Sequence, residues 1–249
     1  MASSFSIAFG NFLYKNCFPL YSIVYPAFKK RQDKLEIELL QKYVKHGEVV
    51  LDIGANIGFY SKILSRLVGA QGKVHCFEPD ITNFGHLRKA VEGLPNITIN
   101  NKAVGPRTET IKIYTSKNMN VDHRTYKPDE FDKEIEVGAV SIDDYLKEDL
   151  RVDFVKMDIQ GFESQAIKGM TRTFQSNVDL KLISEFWPYG LRKAGSSASE
   201  YFDFLTGTGC SVYILKEGGL QKLYREEVNK LEVLGGEYYF NIFATKGNG

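Results

Sequence analysis

The run Val49-Val50-Leu51-Asp52-Ile53-Gly54-Ala55-Asn56-Ile57-Gly58 constrains this chain more than any other segment. Four of its first five residues are apolar, at both strand parities, the pattern of a strand buried on both faces. Glycines follow at once. From Ile57 the apolar side chains fall at helical spacing: Tyr60, Ile63, Leu64, Leu67 and Val68. A buried strand feeding a helix through a glycine turn predicts an open α/β sheet, with its ligand at the carboxyl ends of the strands. The same rhythm recurs downstream. A second strand is expected over 74–77, a helix over 81–93 stopped by Gly93 and Pro95, and a third strand from 97 to about 104. That alternation is a βαβαβ half-sheet. A fourth strand over 152–157, its helix over 162–175, a fifth strand over 180–186, a helix near 198–206 and strands over 211–215 and 238–244 complete one domain, which 249 residues suit.

Two stretches depart from the rhythm. Residues 105–134 hold 12 Asp, Glu, Lys or Arg in 30 positions, 40% against 25% overall, and read as a polar insertion with a short strand over 110–115. Residues 1–46 form an aromatic and basic helical extension, expected as a helical pair packed over the domain of residues 47–249. Eight aromatics (Phe5, Phe9, Phe12, Tyr14, Phe18, Tyr21, Tyr25 and Phe28) fall in the first 28 positions, and seven Lys/Arg stand against three acids up to residue 46. Lys15-Asn16 interrupts the apolar stretch, and the opening Met1-Ala2-Ser3-Ser4 has no charge. It therefore fits neither a secretory signal nor a membrane span. Aromatic plus basic is the composition of an interfacial segment.

The glycine turn offers close backbone approach and free N–H groups at a helix start. A dinucleotide site would place a second glycine where Asn56 stands, so the turn suits a ligand without a pyrophosphate. Glu78 ends the second strand 24 residues beyond Gly54, where an acid can accept both hydroxyls of a ribose. Together these residues point to an adenosine-containing ligand. Thirty-two Lys+Arg against 31 Asp+Glu leave a net charge of +1, which argues against a nucleic-acid partner. Cys17, Cys76 and Cys210 are odd in number and far apart, so they fit a reducing, cytoplasmic setting rather than a disulfide framework or a zinc site.

VVLDIGANIGFYSK, VHCFEPD, NNKAVG, SIDDYL, FVKMDIQGFE and ISEFWP occur in order over about 49–190. Together they resemble the FkbM-type S-adenosylmethionine-dependent methyltransferases. Gln160 stands where that family more often has Glu. The resemblance implies a Rossmann-like class I methyltransferase: a mostly parallel sheet of seven strands, the last antiparallel, with helices on both faces. It also implies S-adenosylmethionine as cofactor and methyl transfer to a hydroxyl of a saccharide or other secondary metabolite. By position, Asp52, Gly54, Asn56 and Gly58 are implied to line the methionine and ribose part of the cofactor, and Glu78 to hold the ribose hydroxyls. Asn101 and Ala103 are implied to border the adenine, and Asp158 to lie beside the transferred methyl.

A hydroxyl is a weak nucleophile at neutral pH, so a nearby base helps. Asp158, Glu185 after the fifth strand and His123 in the insertion are the catalytic candidates. Glu163 is either a metal ligand with Asp158 or a charge at a helix start, and no dense carboxylate or histidine cluster compels a metal. Trp187 and Tyr189 sit where an acceptor enters, Trp187 more as packing. No Asn-Pro-Pro-Tyr clamp for nucleobase or glutamine nitrogen is present. The expected acceptor is a small molecule or glycan. The competing class is a cofactor-binding adaptor without catalysis, at a membrane or in a complex. A nicotinamide oxidoreductase is disfavoured by Asn56. For residues 1–46 three roles stay open: a cover over the acceptor pocket, a homodimer face, or a peripheral membrane contact.

Overall fold

A computed structural model of the chain describes residues 4–116, 124–128, 131–149, 151–236 and 238–247, with side chains from Phe9 onward. His123 lies outside the described residues. Three helices come first: α1 (Ser4–Asn16), α2 (Phe18–Gln32) and α3 (Lys34–Tyr43). The domain then alternates β1 (Val49–Ile53), α4 (Phe59–Val68), β2 (Lys73–Phe77), α5 (Ile81–Ala90) and β3 (Ile97–Asn100). A side branch follows, made of β4 (Ala103–Val104), β5 (Glu109–Tyr114) and β6 (Glu134–Val140). The chain returns through α6 (Ile142–Leu146), β7 (Phe154–Met157), α7 (Glu163–Lys168), α8 (Thr171–Ser176), β8 (Lys181–Phe186), α9 (Pro188–Lys193) and α10 (Ala198–Gly207). It closes with β9 (Cys210–Lys216), β10 (Gly219–Lys222), α11 (Arg225–Leu231) and β11 (Phe240–Lys246).

The main sheet has the order β10-β9-β11-β8-β7-β1-β2-β3, parallel from β3 to β8, with β11 inserted antiparallel between β8 and β9. Seven of these strands match the expectation. The eighth, β10, forms an antiparallel hairpin with β9 through Gly218, where the sequence shows only a turn signal. The expected third strand is two: the chain bends after Asn100, and Ala103–Val104 pairs with β6 in a separate three-stranded sheet with β5. The insertion is thus a hairpin anchored beside the main sheet.

Apolar residues at both parities of β1 and β7 bury the sheet on both sides. Leu51, Ile53, Val155 and Met157 pack with α6, α7, α8 and α10; Val50 and Phe154 pack with α3, α4 and α5. The helix expected over 162–175 is split at Gly169-Met170, where the chain passes so close to Gly105 that a Cβ at Gly169 would meet its carbonyl oxygen at 2.2 Å. The short helix α6 is capped by Ser141, whose hydroxyl accepts from the Asp144 N–H at 3.1 Å. The N-terminal extension is a helical trio rather than a pair. Tyr21 and Leu13 pack on Ile57 of the glycine turn, with Tyr14, Phe18 and Tyr25 around them. Phe18 stacks on His86 of α5, and the Tyr14 hydroxyl donates to Asn83 at 2.7 Å. No helix among the described residues is long and apolar enough to cross a membrane.

Candidate active site

The turn after β1 is held by three neighbours at once. The Gly54 and Ala55 N–H groups both donate to the Phe77 carbonyl at 3.0 Å, and the Asn56 N–H donates to Glu78 Oε2 at 2.8 Å. Gly54 sits at φ +82° and lies so close to the end of β7 that a Cβ would meet the Asp158 carbonyl oxygen at 2.0 Å. Only glycine satisfies both demands. Gly58, at φ +85°, opens α4 against Leu87 and Ala90. Two of the non-glycine residues with positive φ, Asn56 at 50° and Gln160 at 56°, flank this same point. Strained backbone of this kind collects where a ligand must be met.

A small cavity of about 70 Å³, open to solvent, lies over the carboxyl ends of β1, β2 and β7. Gly54, Asn56, Glu78, Ala103 and Asp158 line it, as do Lys102, Ile113 and Thr125 from the side branch. The structure does not bring every expected residue to its wall. Asp52 is fully buried inside β1, where its Oδ2 accepts from the Ser61 hydroxyl at 2.6 Å; it supports the turn from behind. Gly58 shapes the helix start rather than the wall. Asn101 faces outward and donates to the Glu78 and Pro79 carbonyls at 2.9 and 3.0 Å, which pins the segment carrying Glu78.

Glu78 is only 4% exposed. Burial pushes its carboxyl up to about 8, although N–H bonds from Asp80 and Asn56 pull the other way. Asp52 is likewise raised by burial. Asp158 behaves oppositely: burial would raise it, but the Lys156 and Lys29 ammoniums outweigh that and hold it below the usual carboxylate range. Lys156 Nζ lies 3.5 Å from Asp158 Oδ2, and the Gln160 amide donates to Oδ1 at 3.0 Å. At position 160 a Glu would face Asp158 with like charge; Gln offers a donor instead. Glu163 accepts from the Ile159 N–H at 2.9 Å and is pushed by burial to about 7, so it fastens the turn after β7. Among the described residues no group of three or more His, Cys, Asp or Glu side chains is arranged to hold a metal ion.

A second polar group adjoins Asp158, and the sequence gives little sign of it. Strand alternation puts Asp52, Lys156, Glu185 and Asn241 on the face turned toward α3. The extension meets them there. The Tyr60 hydroxyl of α4 is shared between Asp33, at 2.6 Å, and Glu36; Glu36 also accepts from the Asn241 amide. Lys29 pairs with Asp33 at 2.5 Å, and Lys156 lies over the Tyr60 ring at 4.6 Å. Burial, reinforced by Asp33, pushes Glu36 up to about 7. One hydroxyl proton cannot serve two carboxylates, so Glu36 holds its own proton through most of the acidic range. Lys156 had a signal in the sequence, a lysine inside the doubly buried run FVKM. Lys29, Asp33 and Glu36 had only helical spacing. Trp187 is buried, stacks on Gly190 and donates to the Gly236 carbonyl at 2.8 Å, with Arg124 of the insertion over its ring. It packs, as its sequence context suggests.

The donor set fits S-adenosylmethionine. Asn56 Oδ1, on the pocket wall, is a buried acceptor without a hydrogen-bond partner among the described residues. A buried acceptor of this kind is rare unless a ligand or water completes it. With Glu78 and Asp158 on the same wall it suits a ligand that brings hydroxyls and a positive centre. Strand order and pocket together define a class I methyltransferase domain.

The sequence over residues 52–209, well over half the chain, matches the model of the methyltransferase FkbM domain, and the chain belongs to that family. Its cofactor is S-adenosylmethionine. An FkbM methyltransferase from Methylobacillus flagellatus KT is 18% identical over 80% of this chain, with a TM-score of 0.48; this chain spans only 43% of that protein's length. A Streptococcus mutans protein assigned as a methyltransferase, in complex with SAH, superposes with a TM-score of 0.52 at 11% identity, covering 86% of this chain and 97% of its own. A Clostridium thermocellum protein assigned as an rRNA methylase gives 0.51 at 12% identity, covering 85% and 95%. At such identities the likeness is one of fold. No curated protein matches the chain in sequence.

Proposed function

We propose that this protein transfers a methyl group from S-adenosylmethionine to a hydroxyl oxygen of a saccharide or glycosylated metabolite. The observation that carries the proposal is a pocket at the carboxyl ends of the parallel strands with Asp158 in its wall, held ionised beside Lys156 and Gln160. Bound there, S-adenosylmethionine supplies a methyl group on a positively charged sulfur. Glu78 and Asn56 are the residues to hold the ribose side of that ligand, and Ala103 with Lys102 and Ile113 to border the adenine. Asp158, anionic across the physiological range, favours positive charge beside it and orients the reactants; alignment of this kind supplies roughly 7–11 kcal/mol in favourable cases.

A carboxylate held so low is a poor proton acceptor. Glu185, on β8 beside β7 and in register with Asn241, is the other candidate base among the described residues. The rRNA methylase likeness favours no nucleic-acid acceptor here, since net charge is +1 and a phosphate-gripping face needs a basic excess. The decisive experiment joins calorimetry with SAH to methyl turnover on a panel of glycans. Binding with turnover supports the proposal. Binding without turnover on any hydroxyl acceptor supports the adaptor reading, and absence of binding overturns both.

A further inference from the structure

Helix α2 is built the wrong way out for a helix covering a soluble domain. Its inward side runs Tyr21, Tyr25, Lys29 and Asp33 at four-residue spacing, ending in the ion pair beside Tyr60. Its outward side is Leu20, Ile23, Val24, Ala27 and Phe28, an i, i+3, i+4, i+7, i+8 stripe, all exposed, with Ile23 at 73%. Phe12, on the neighbouring helix α1, is 59% exposed. Lys30 and Arg31 stand exposed at the C-terminal end of the stripe; Lys34 just beyond them pairs with Glu38 at 3.7 Å. Residues 4–32 contain four Lys or Arg and no Asp or Glu.

We infer that this stripe is a docking surface for an anionic lipid bilayer, on which α2 rests in the interfacial plane. Apolar side chains on one helical face, flanked by basic residues without acids, are what such a surface requires. A second copy of the chain fits less well. The stripe offers on the order of a few hundred Å², short of the roughly 800 Å² per partner of a stable interface. The inference does not rest on methyl transfer.

Co-sedimentation of the full chain with phosphatidylcholine vesicles, with and without phosphatidylglycerol, tests it. The expected result is at least about tenfold stronger partition onto the phosphatidylglycerol vesicles, weakening as salt is raised. Ile23→Glu with Phe28→Glu abolishes that partition while SAH binding and the thermal midpoint stay as in the unchanged protein. Should the paired variant fold poorly, Ile23→Ser alone reads the same effect at about tenfold. Equal partition onto both vesicles, or full partition of Ile23→Ser, overturns the inference. So does a dimer in sedimentation velocity that Ile23→Ser converts to monomer, which assigns the stripe to a second copy.

Discussion

The glycine turn after β1 and the helical extension of residues 4–43 both bury carboxylates at the same edge of the sheet, by different means. In the turn, Glu78 is satisfied by backbone N–H groups within two residues of itself and across one strand, and burial leaves it with a high pKa. In the extension, Asp33 is balanced by an ammonium one helical turn away, and Glu36 by groups from α4 and β11. The first arrangement follows from short-range geometry. The second exists only because α2 and α3 fold back over the sheet. Each is open to a direct challenge.

The largest effect is expected at Gly54. Gly54→Ala sets a Cβ against the Asp158 carbonyl oxygen at 2.0 Å and at positive φ, and is expected to destabilise the protein by at least about 4 kcal/mol. A thermal or denaturant melt reads this; a midpoint near that of the unchanged protein would show that the turn is not locked. Next comes Glu78→Ala, expected to weaken SAH binding by roughly ten- to thirtyfold by calorimetry, since Glu78 is largely protonated and each of two neutral hydrogen bonds is worth about 0.5–1.5 kcal/mol. Asp158→Asn keeps SAH binding but lowers turnover by a similar factor.

pH separates the regions further. Glu78 has a folded pKa of about 8 against an ordinary 4.5, so the native state keeps a proton that the unfolded chain gives up. Its stabilising contribution is complete below 4.5 and is lost as pH rises through 8. The free protein should therefore melt lower at pH 8 than at pH 5.5 by an amount that Glu78→Gln reduces, on the order of a few kcal/mol. Glu36→Gln should flatten the same curve, with its change ending near pH 7. If only Glu78→Gln flattens it, the extension's carboxylates are balanced by Lys29 alone.

Tyr60→Phe removes the hydroxyl shared by Asp33 and Glu36 and should destabilise by about 1–3 kcal/mol, read in the same melt. The smallest effect belongs to the outer stripe of α2. Ile23→Ser should shift folding stability by no more than about 0.5 kcal/mol, because nothing packs on an exposed side chain of this kind.

Much of the pocket was legible in the chain itself. Gly54, Asn56, Glu78, Ala103 and Asp158, which the motifs single out, line it. Asp52 and Asn101, implied to meet the methionine–ribose part and the adenine of the cofactor, are not in its lining: one accepts from Ser61 and the other donates to the Glu78 and Pro79 carbonyls. Motif spacing places a residue along a strand; it does not say which face of that strand meets the ligand.

What the sequence determined was the alternation of elements, the site at the end of β1 and the family. These rest on hydrophobic periodicity and on steric limits that act within a few residues. The tertiary structure alone decided that Ala103–Val104 leaves the main sheet and that the splayed insertion reaches the pocket through Thr125. It alone brought Lys29, Asp33 and Glu36 to the side of Asp158. The forces behind those placements act between residues as much as 205 positions apart. A carboxylate's partner, and hence its charge, is settled by which surfaces the whole chain buries against one another.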